Sequence, residues 1–81
     1  MGYHKVKIER GKLGEFSKIR EEFEEAQDAF DQDNKIMLLL ELSDMIGAVD
    51  QYCKKHHNIS LKDVITMKDA TKSAFESGDR K

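Results

Sequence analysis

The chain has 81 residues, which allows one domain at most, and a domain this small buries too little surface to be stable easily without a partner. Charged residues make up 37% of it, but the net charge is −2, so it lacks the basic excess that nucleic-acid binding requires. Cys53 is the only cysteine, which excludes an intramolecular disulfide and fits a reducing compartment.

Residues 1–12 are predicted to form an extended N-terminal arm. Tyr3, Val6 and Ile8 alternate weakly with polar residues, as in an extended segment. The arm lacks the apolar core of a secretion signal, and no apolar run in the chain approaches the ~20 residues that span a bilayer. We therefore expect a cytoplasmic protein that does not contact a membrane.

Residues 13–81 are predicted to form an all-α domain, whose first helix carries an apolar stripe. Its members recur at alternating spacings of three and four, which is typical of one helix face. They are Phe16, Ile19, Phe23, Ala26 and Phe30. The polar stretch at 31–34 ends this pattern, and either Asp33 or Asn34 can cap the next helix.

The second helix is predicted from about Lys35 to Lys54 or His56. It is apolar over much of its circumference, and such helices are normally buried. Asn58 follows it and suits a left-handed C-terminal cap.

The third helix is predicted from Ser60 to about Glu76. Ser60-Leu61-Lys62-Asp63 resembles a capping box with aspartate in place of glutamate, and Gly78 is a natural stop. Three helices predict a helical bundle of about three helices per subunit, completed by oligomerisation into a homodimer or homotetramer.

Two acidic pairs at i, i+3 spacing dominate the candidate chemistry: Glu22 with Glu25 on the first helix, and Glu41 with Asp44 on the second. A single Glu-x-x-Glu pair is usually only a solvated helix face. Glu41, however, falls inside the apolar arc of its helix. An ionised carboxylate there is costly unless a lysine, a shared proton or a metal pairs with it.

The two pairs can converge between the helices as a cage of oxygen ligands. Oxygen ligands without imidazole select hard cations, here Mg²⁺ or its substitute Mn²⁺. A di-iron bundle would need Glu-x-x-His on two helices, and no glutamate here has a histidine three residues later. Zinc at Cys53, His56 and His57 is disfavoured, because no second ligand cluster accompanies them.

Basic residues supply candidates for phosphate binding. Lys68 falls in the middle of the inward stripe predicted for the third helix, and two interpretations of it stay open. With Lys72 one turn on, it can contact phosphate oxygens, or it can pair with Glu41 or a neighbour. Weaker candidates for substrate contact are Arg80, which lies past Gly78, together with Lys18 and Asp28.

The chain resembles the MazG-like, all-α nucleoside triphosphate pyrophosphohydrolases, in particular their small single-domain phage and bacterial members. The resemblance covers roughly residues 12–80 and lies in three stretches: GKLGEFSKIREEFEEAQDA, LLLELSDMIGAVDQY and MKDATKSAFESGDR. The family signature is Glu-x-x-Glu, a spacer and then Glu-x-x-Asp. It maps to Glu22–Glu25 and Glu41–Asp44, with an additional leading glutamate at Glu21.

The resemblance implies Mg²⁺-dependent hydrolysis of a (d)NTP to a (d)NMP and pyrophosphate by an oligomeric helical bundle. It implies that four residues hold the metal: Glu22, Glu25, Glu41 and Asp44. Glu21 would join them or orient the attacking water, which makes Glu21 and Glu22 the candidate catalytic residues. Lys68 and Arg80 would approach the phosphates.

Other functions stay open at this stage. Activity like that of phosphoribosyl-ATP pyrophosphohydrolase, or of a dUTPase or dCTPase, would use similar acidic pairs. A non-catalytic helical interaction module would use its acids only for solubility, and its stability would not depend on a metal.

Overall fold

The computed structural model describes residues 3–77, and of residues 73–75 and 77 the backbone alone. Three helices follow one another: α1 at Phe16–Asp31, α2 at Lys35–His57 and α3 at Leu61–Ser77. No strand occurs within residues 3–77. The prediction of an all-α chain with three helices is therefore confirmed.

Local interactions place the helix ends where the sequence predicts them. The side chain of Asn34 caps α2 by accepting a hydrogen bond from the Met37 amide at 3.2 Å. Asn58 ends α2 in the left-handed region, at φ 54°. The Ser60 hydroxyl accepts from the Asp63 amide at 3.3 Å, and the Asp63 carboxylate accepts from the Ser60 amide at 3.1 Å. This reciprocal pair is the predicted capping box.

Helices α1 and α2 form an antiparallel hairpin. At its open end Glu15, just before α1, accepts hydrogen bonds from Lys55 and from His56, the latter at 2.9 Å. The ring of Phe16 meets Tyr52 edge-on at a centroid distance of 5.8 Å. Helix α3 contacts α2 alone, since no Cα of α3 comes within 8 Å of one in α1 in the described part of the chain.

The interior of the hairpin is small and acidic. Its buried apolar residues are Ala26, Ala29 and Ala48, and four carboxylates are buried beside them: Glu21, Glu22, Asp28 and Glu41. Alanines let the two helix backbones approach each other, and the longer acidic side chains occupy the remaining space. The seam between α1 and α2 is therefore where buried charge concentrates.

The predicted apolar stripes face outward in this single chain. Phe16, Phe23 and Phe30 on α1 are 58%, 53% and 65% exposed. On α2, predicted to be buried, Ile36, Leu39, Leu40, Leu42 and Ile46 are also exposed. Within the single chain the hairpin buries its alanine and carboxylate side, and these apolar faces stay exposed.

Candidate metal centre

Five carboxylates converge on the seam between α1 and α2, and we call them the carboxylate cluster. They are Glu21, Glu22, Glu25, Glu41 and Asp44. Ligand oxygens of the α1 members Glu21, Glu22 and Glu25 lie within 4.8 Å of one another, and so do those of Glu22, Glu41 and Asp44. Glu22 belongs to both groups, so it joins the two acidic pairs into one continuous set of oxygens.

Helix geometry explains why α1 presents these side chains together. Residues three and four apart lie on the same side of a helix, so Glu22 and Glu25 project from the side that carries Ala26 and Ala29. On α2, Glu41 and Ala48 are two turns apart and both are buried. The antiparallel hairpin then brings Glu41 opposite the α1 glutamates, and Asp44 lies at the exposed edge of the seam.

Glu22 is the most informative member of the cluster. It is only 6% exposed, and its Oε1 atom is buried without a hydrogen-bond partner among the described residues. A buried carboxylate oxygen without a partner costs free energy that a cation would recover. In both groups that contain Glu22 the other ligand atoms are carboxylate oxygens, which is the donor set of hard divalent cations.

Burial and the charges of neighbouring carboxylates both act on Glu25. Burial, followed by the nearby charges of Glu22 and Glu41, raises the pKa of Glu25 to about 8. Without a metal, Glu25 therefore holds a proton at neutral pH, which relieves the repulsion inside the cluster. A cation bound between these carboxylates would replace that proton.

Glu21 is held in place by hydrogen bonds from neighbouring parts of the chain. Burial alone would raise the pKa of Glu21, but hydrogen bonds from the Gly11 amide at 2.9 Å and from Lys18 at 3.0 Å outweigh it and lower the pKa. Lys18 also contacts Glu22 at 3.2 Å. Lys18, a candidate for phosphate binding, thus neutralises the edge of the cluster in this structure, and Glu21 is ionised at neutral pH.

The N-terminal arm contributes contacts that the sequence pattern did not reveal. The hydroxyl of Tyr3 donates to Glu41 Oε2, and His4 Nδ1 lies 2.8 Å from Asp28 Oδ2. The Lys5 amide donates to the same Asp28 oxygen at 3.0 Å. Asp28, considered earlier for substrate contact, is buried and holds the arm in place. No local signal marks these contacts, since they join residues 23 to 38 positions apart.

The basic candidates on α3 lie apart from this arrangement. Lys68, predicted on an inward face, is exposed; it pairs with Asp69 at 2.6 Å and lines an apolar groove between α2 and α3. Lys72 is exposed and lies 3.6 Å from Glu76. The partner of Lys68 is thus a neighbour on its own helix and not Glu41. Arg80 lies outside the described residues.

The alternative zinc ligands do not assemble. Within residues 3–77, none of the groups able to hold a metal includes Cys53, His56 or His57. His56 instead pairs with Glu15 and stacks against Tyr52 at a centroid distance of 4.9 Å.

Comparisons of the chain with protein-family models, with curated proteins and with solved structures found no match in any of the three. None of the helices in the described part of the chain has the length and apolar composition needed to cross a membrane. Interpretation of the site therefore depends on its own geometry and on the sequence motif.

Proposed function

We propose that the chain is a Mg²⁺-dependent nucleoside triphosphate pyrophosphohydrolase that converts a (d)NTP and water to a (d)NMP and pyrophosphate. The observation that carries this proposal is the buried, unpartnered oxygen of Glu22 among the carboxylates of α1 and α2. The reaction class is inferred from the sequence, because the order of the acidic pairs along the chain resembles the MazG-like signature.

Four members of the carboxylate cluster would hold the cation: Glu22, Glu25, Glu41 and Asp44. Their formal charge exceeds what one divalent ion neutralises, which suits a site that must also attract a second cation or a cationic side chain. Bound Mg²⁺, or Mn²⁺ in its place, would neutralise charge on the phosphate oxygens and lower the pKa of a bound water.

The protein's own groups would orient the reactants. Glu21 is ionised and fixed by the Gly11 amide and Lys18, so it can accept a hydrogen bond from the attacking water and take its proton. A bond forms between the water oxygen and the α-phosphorus, and the bridging bond to the β-phosphate breaks, releasing pyrophosphate. Lys18 lies 26% exposed at the edge of the cluster, where it can move to a phosphate oxygen. Lys68 and Lys72 would reach the substrate only if α3 moved or if a second subunit supplied them. Arg80, outside the described residues, stays a candidate on the sequence alone.

We further propose that the working form is a homodimer or homotetramer. Three phenylalanines of α1 and several aliphatic side chains of α2 are exposed in the single chain, and exposed apolar side chains favour burial against a second copy. Packing of two hairpins through these faces would give a four-helix bundle.

The decisive experiment is product analysis after incubation with each common NTP and dNTP, in Mg²⁺ and then in EDTA. Metal-dependent release of a monophosphate and pyrophosphate is expected, and the same assay ranks the substrates. Glu41→Gln should abolish it, whereas Glu24→Gln, which alters a residue outside the cluster, should not. No turnover, together with no change in thermal stability on adding Mg²⁺, would favour a non-catalytic interaction module.

A further inference from the structure

The N-terminal arm places an imidazole beside the carboxylate cluster. His4 lies with one ring nitrogen, Nε2, 3.5 Å from Glu41 Oε2, and it forms a group with Glu25 and Glu41 whose ligand atoms all lie within 4.8 Å of one another. The His4 side chain is 12% exposed, so this imidazole is held inside the seam.

The other ring nitrogen of His4 is already engaged. Nδ1 lies 2.8 Å from Asp28 Oδ2, and Asp28 is buried. If Nδ1 donates its proton to this carboxylate, the lone pair of Nε2 faces Glu25 and Glu41. A carboxylate that accepts from the distal nitrogen is the usual partner of a metal-bound histidine, because it fixes both the tautomer and the orientation of the ring.

The distances suit coordination better than direct hydrogen bonding. A separation of 3.5 Å between Nε2 and Glu41 Oε2 exceeds the range of a good N–H···O bond, about 2.7–3.2 Å. Two ligands that each lie about 2.1 Å from one cation, at an angle of 90° to 110°, are separated by roughly 3.0–3.5 Å.

The arm is anchored independently of any metal. Gln32 donates to the Tyr3 carbonyl at 2.8 Å and to Asp28 at 3.0 Å, and the Lys5 amide also donates to Asp28. His4 lies between these two anchored positions, so its ring is positioned before a cation binds. A bound cation would displace the hydrogen bond that the Tyr3 hydroxyl donates to Glu41 Oε2, and those between protonated Glu25 and its neighbours Glu22 and Glu41.

We propose that His4 is a nitrogen ligand of the cation held by Glu25 and Glu41, with Asp28 as the residue that orients its ring. This inference rests on the proposed metal centre and deepens it. Because an imidazole ligand suits Mn²⁺ better than Mg²⁺, Mn²⁺, which can take the place of Mg²⁺ in the proposed site, is the probe for this coordination. Glu22 shares one group of close ligand atoms with Glu25 and another with Glu41, and it has a buried oxygen without a partner among the described residues. This is the second observation that points to a cation in the carboxylate cluster.

The test is pulsed electron paramagnetic resonance of the 81-residue chain loaded with Mn²⁺, which detects a directly bound nitrogen. The wild type should show ¹⁴N coupling, and labelling with ¹⁵N-histidine should convert it to ¹⁵N coupling. His4→Gln should lose the coupling and bind Mn²⁺ at least about tenfold more weakly, with a smaller change for Mg²⁺. Asp28→Asn should keep the coupling but weaken Mn²⁺ binding by about 10–100-fold.

His57→Gln is the matched control, because His57 is an exposed histidine beside Tyr52; it should leave the coupling unchanged. Bound Mn²⁺ without histidine coupling in the wild type would overturn the assignment of His4, whatever the variants do. ¹⁴N coupling without hydrolysis would support His4 as a metal ligand and refute the proposed hydrolase function. Mg²⁺-dependent hydrolysis without ¹⁴N coupling would support the hydrolase function and refute His4 as a ligand. Failure of Mn²⁺ to bind would overturn the assignment of His4 and would leave the proposed function to the Mg²⁺ assay.

Discussion

Replacing Glu25 with glutamine removes one titratable charge from the carboxylate cluster and keeps the shape of the side chain. In the folded chain the pKa of Glu25 is about 8, against an ordinary value of 4.5. The difference of about 3.5 corresponds to at most about 5 kcal/mol, at about 1.4 kcal/mol for each pKa unit. Solvent screening at this partly exposed side chain lowers the cost, and we expect about 1–3 kcal/mol.

The sign of the effect follows from proton binding. Between pH 4.5 and about 8 the folded chain holds the Glu25 proton more tightly than the unfolded chain does. The free energy of unfolding of the wild type in EDTA should therefore fall as the pH rises through this window, and stay low above it. Glu25→Gln loses no proton, so it should match the wild type below the window and exceed it by about 1–3 kcal/mol above it.

Urea unfolding followed by circular dichroism, at pH values on both sides of this window, measures the difference. Glu24→Gln is the control, since Glu24 belongs to none of the metal-competent groups among the described residues; it should follow the wild-type profile. Adding Mg²⁺ at neutral pH should stabilise the wild type and the control but stabilise Glu25→Gln much less. If Glu25→Gln and the wild type share one pH profile in EDTA, the pKa of Glu25 is not raised in the folded chain.

Three further substitutions test the packing of the N-terminal arm, the interface between subunits and the cap of α3. Gly11→Ala would place a Cβ atom 2.2 Å from the Ser17 carbonyl oxygen, so thermal unfolding should show a loss of about 1–3 kcal/mol; an unchanged melting temperature would mean that the arm can shift. Phe23→Ser should turn an oligomer into single chains in sedimentation equilibrium, with the helical circular dichroism retained, whereas an unchanged mass would place the interface elsewhere. Ser60→Ala should cost about 1 kcal/mol through loss of the α3 cap, and Ser60→Thr should restore most of it.

The sequence alone determined the helices and their ends. Capping by Asn34, by Asn58 and by Ser60 with Asp63 depends on residues at most a few positions apart, so local pattern is enough to predict it. The i, i+3 spacing likewise determined that Glu22 lies beside Glu25 on one side of α1. The sequence alone also showed that Glu41 lies inside the apolar arc of its helix.

Only the tertiary structure decided which helix sides meet and what reaches the seam. The apolar stripe through Phe16, Phe23 and Phe30 indicates surface that avoids water, but periodicity does not say whether the same chain covers it, and here it does not. The approach of Tyr3 to Glu41 and of His4 to Asp28 depends on chain separations of 38 and 24 residues. Contacts over such separations depend on how the whole hairpin packs, so no local pattern of residues encodes them.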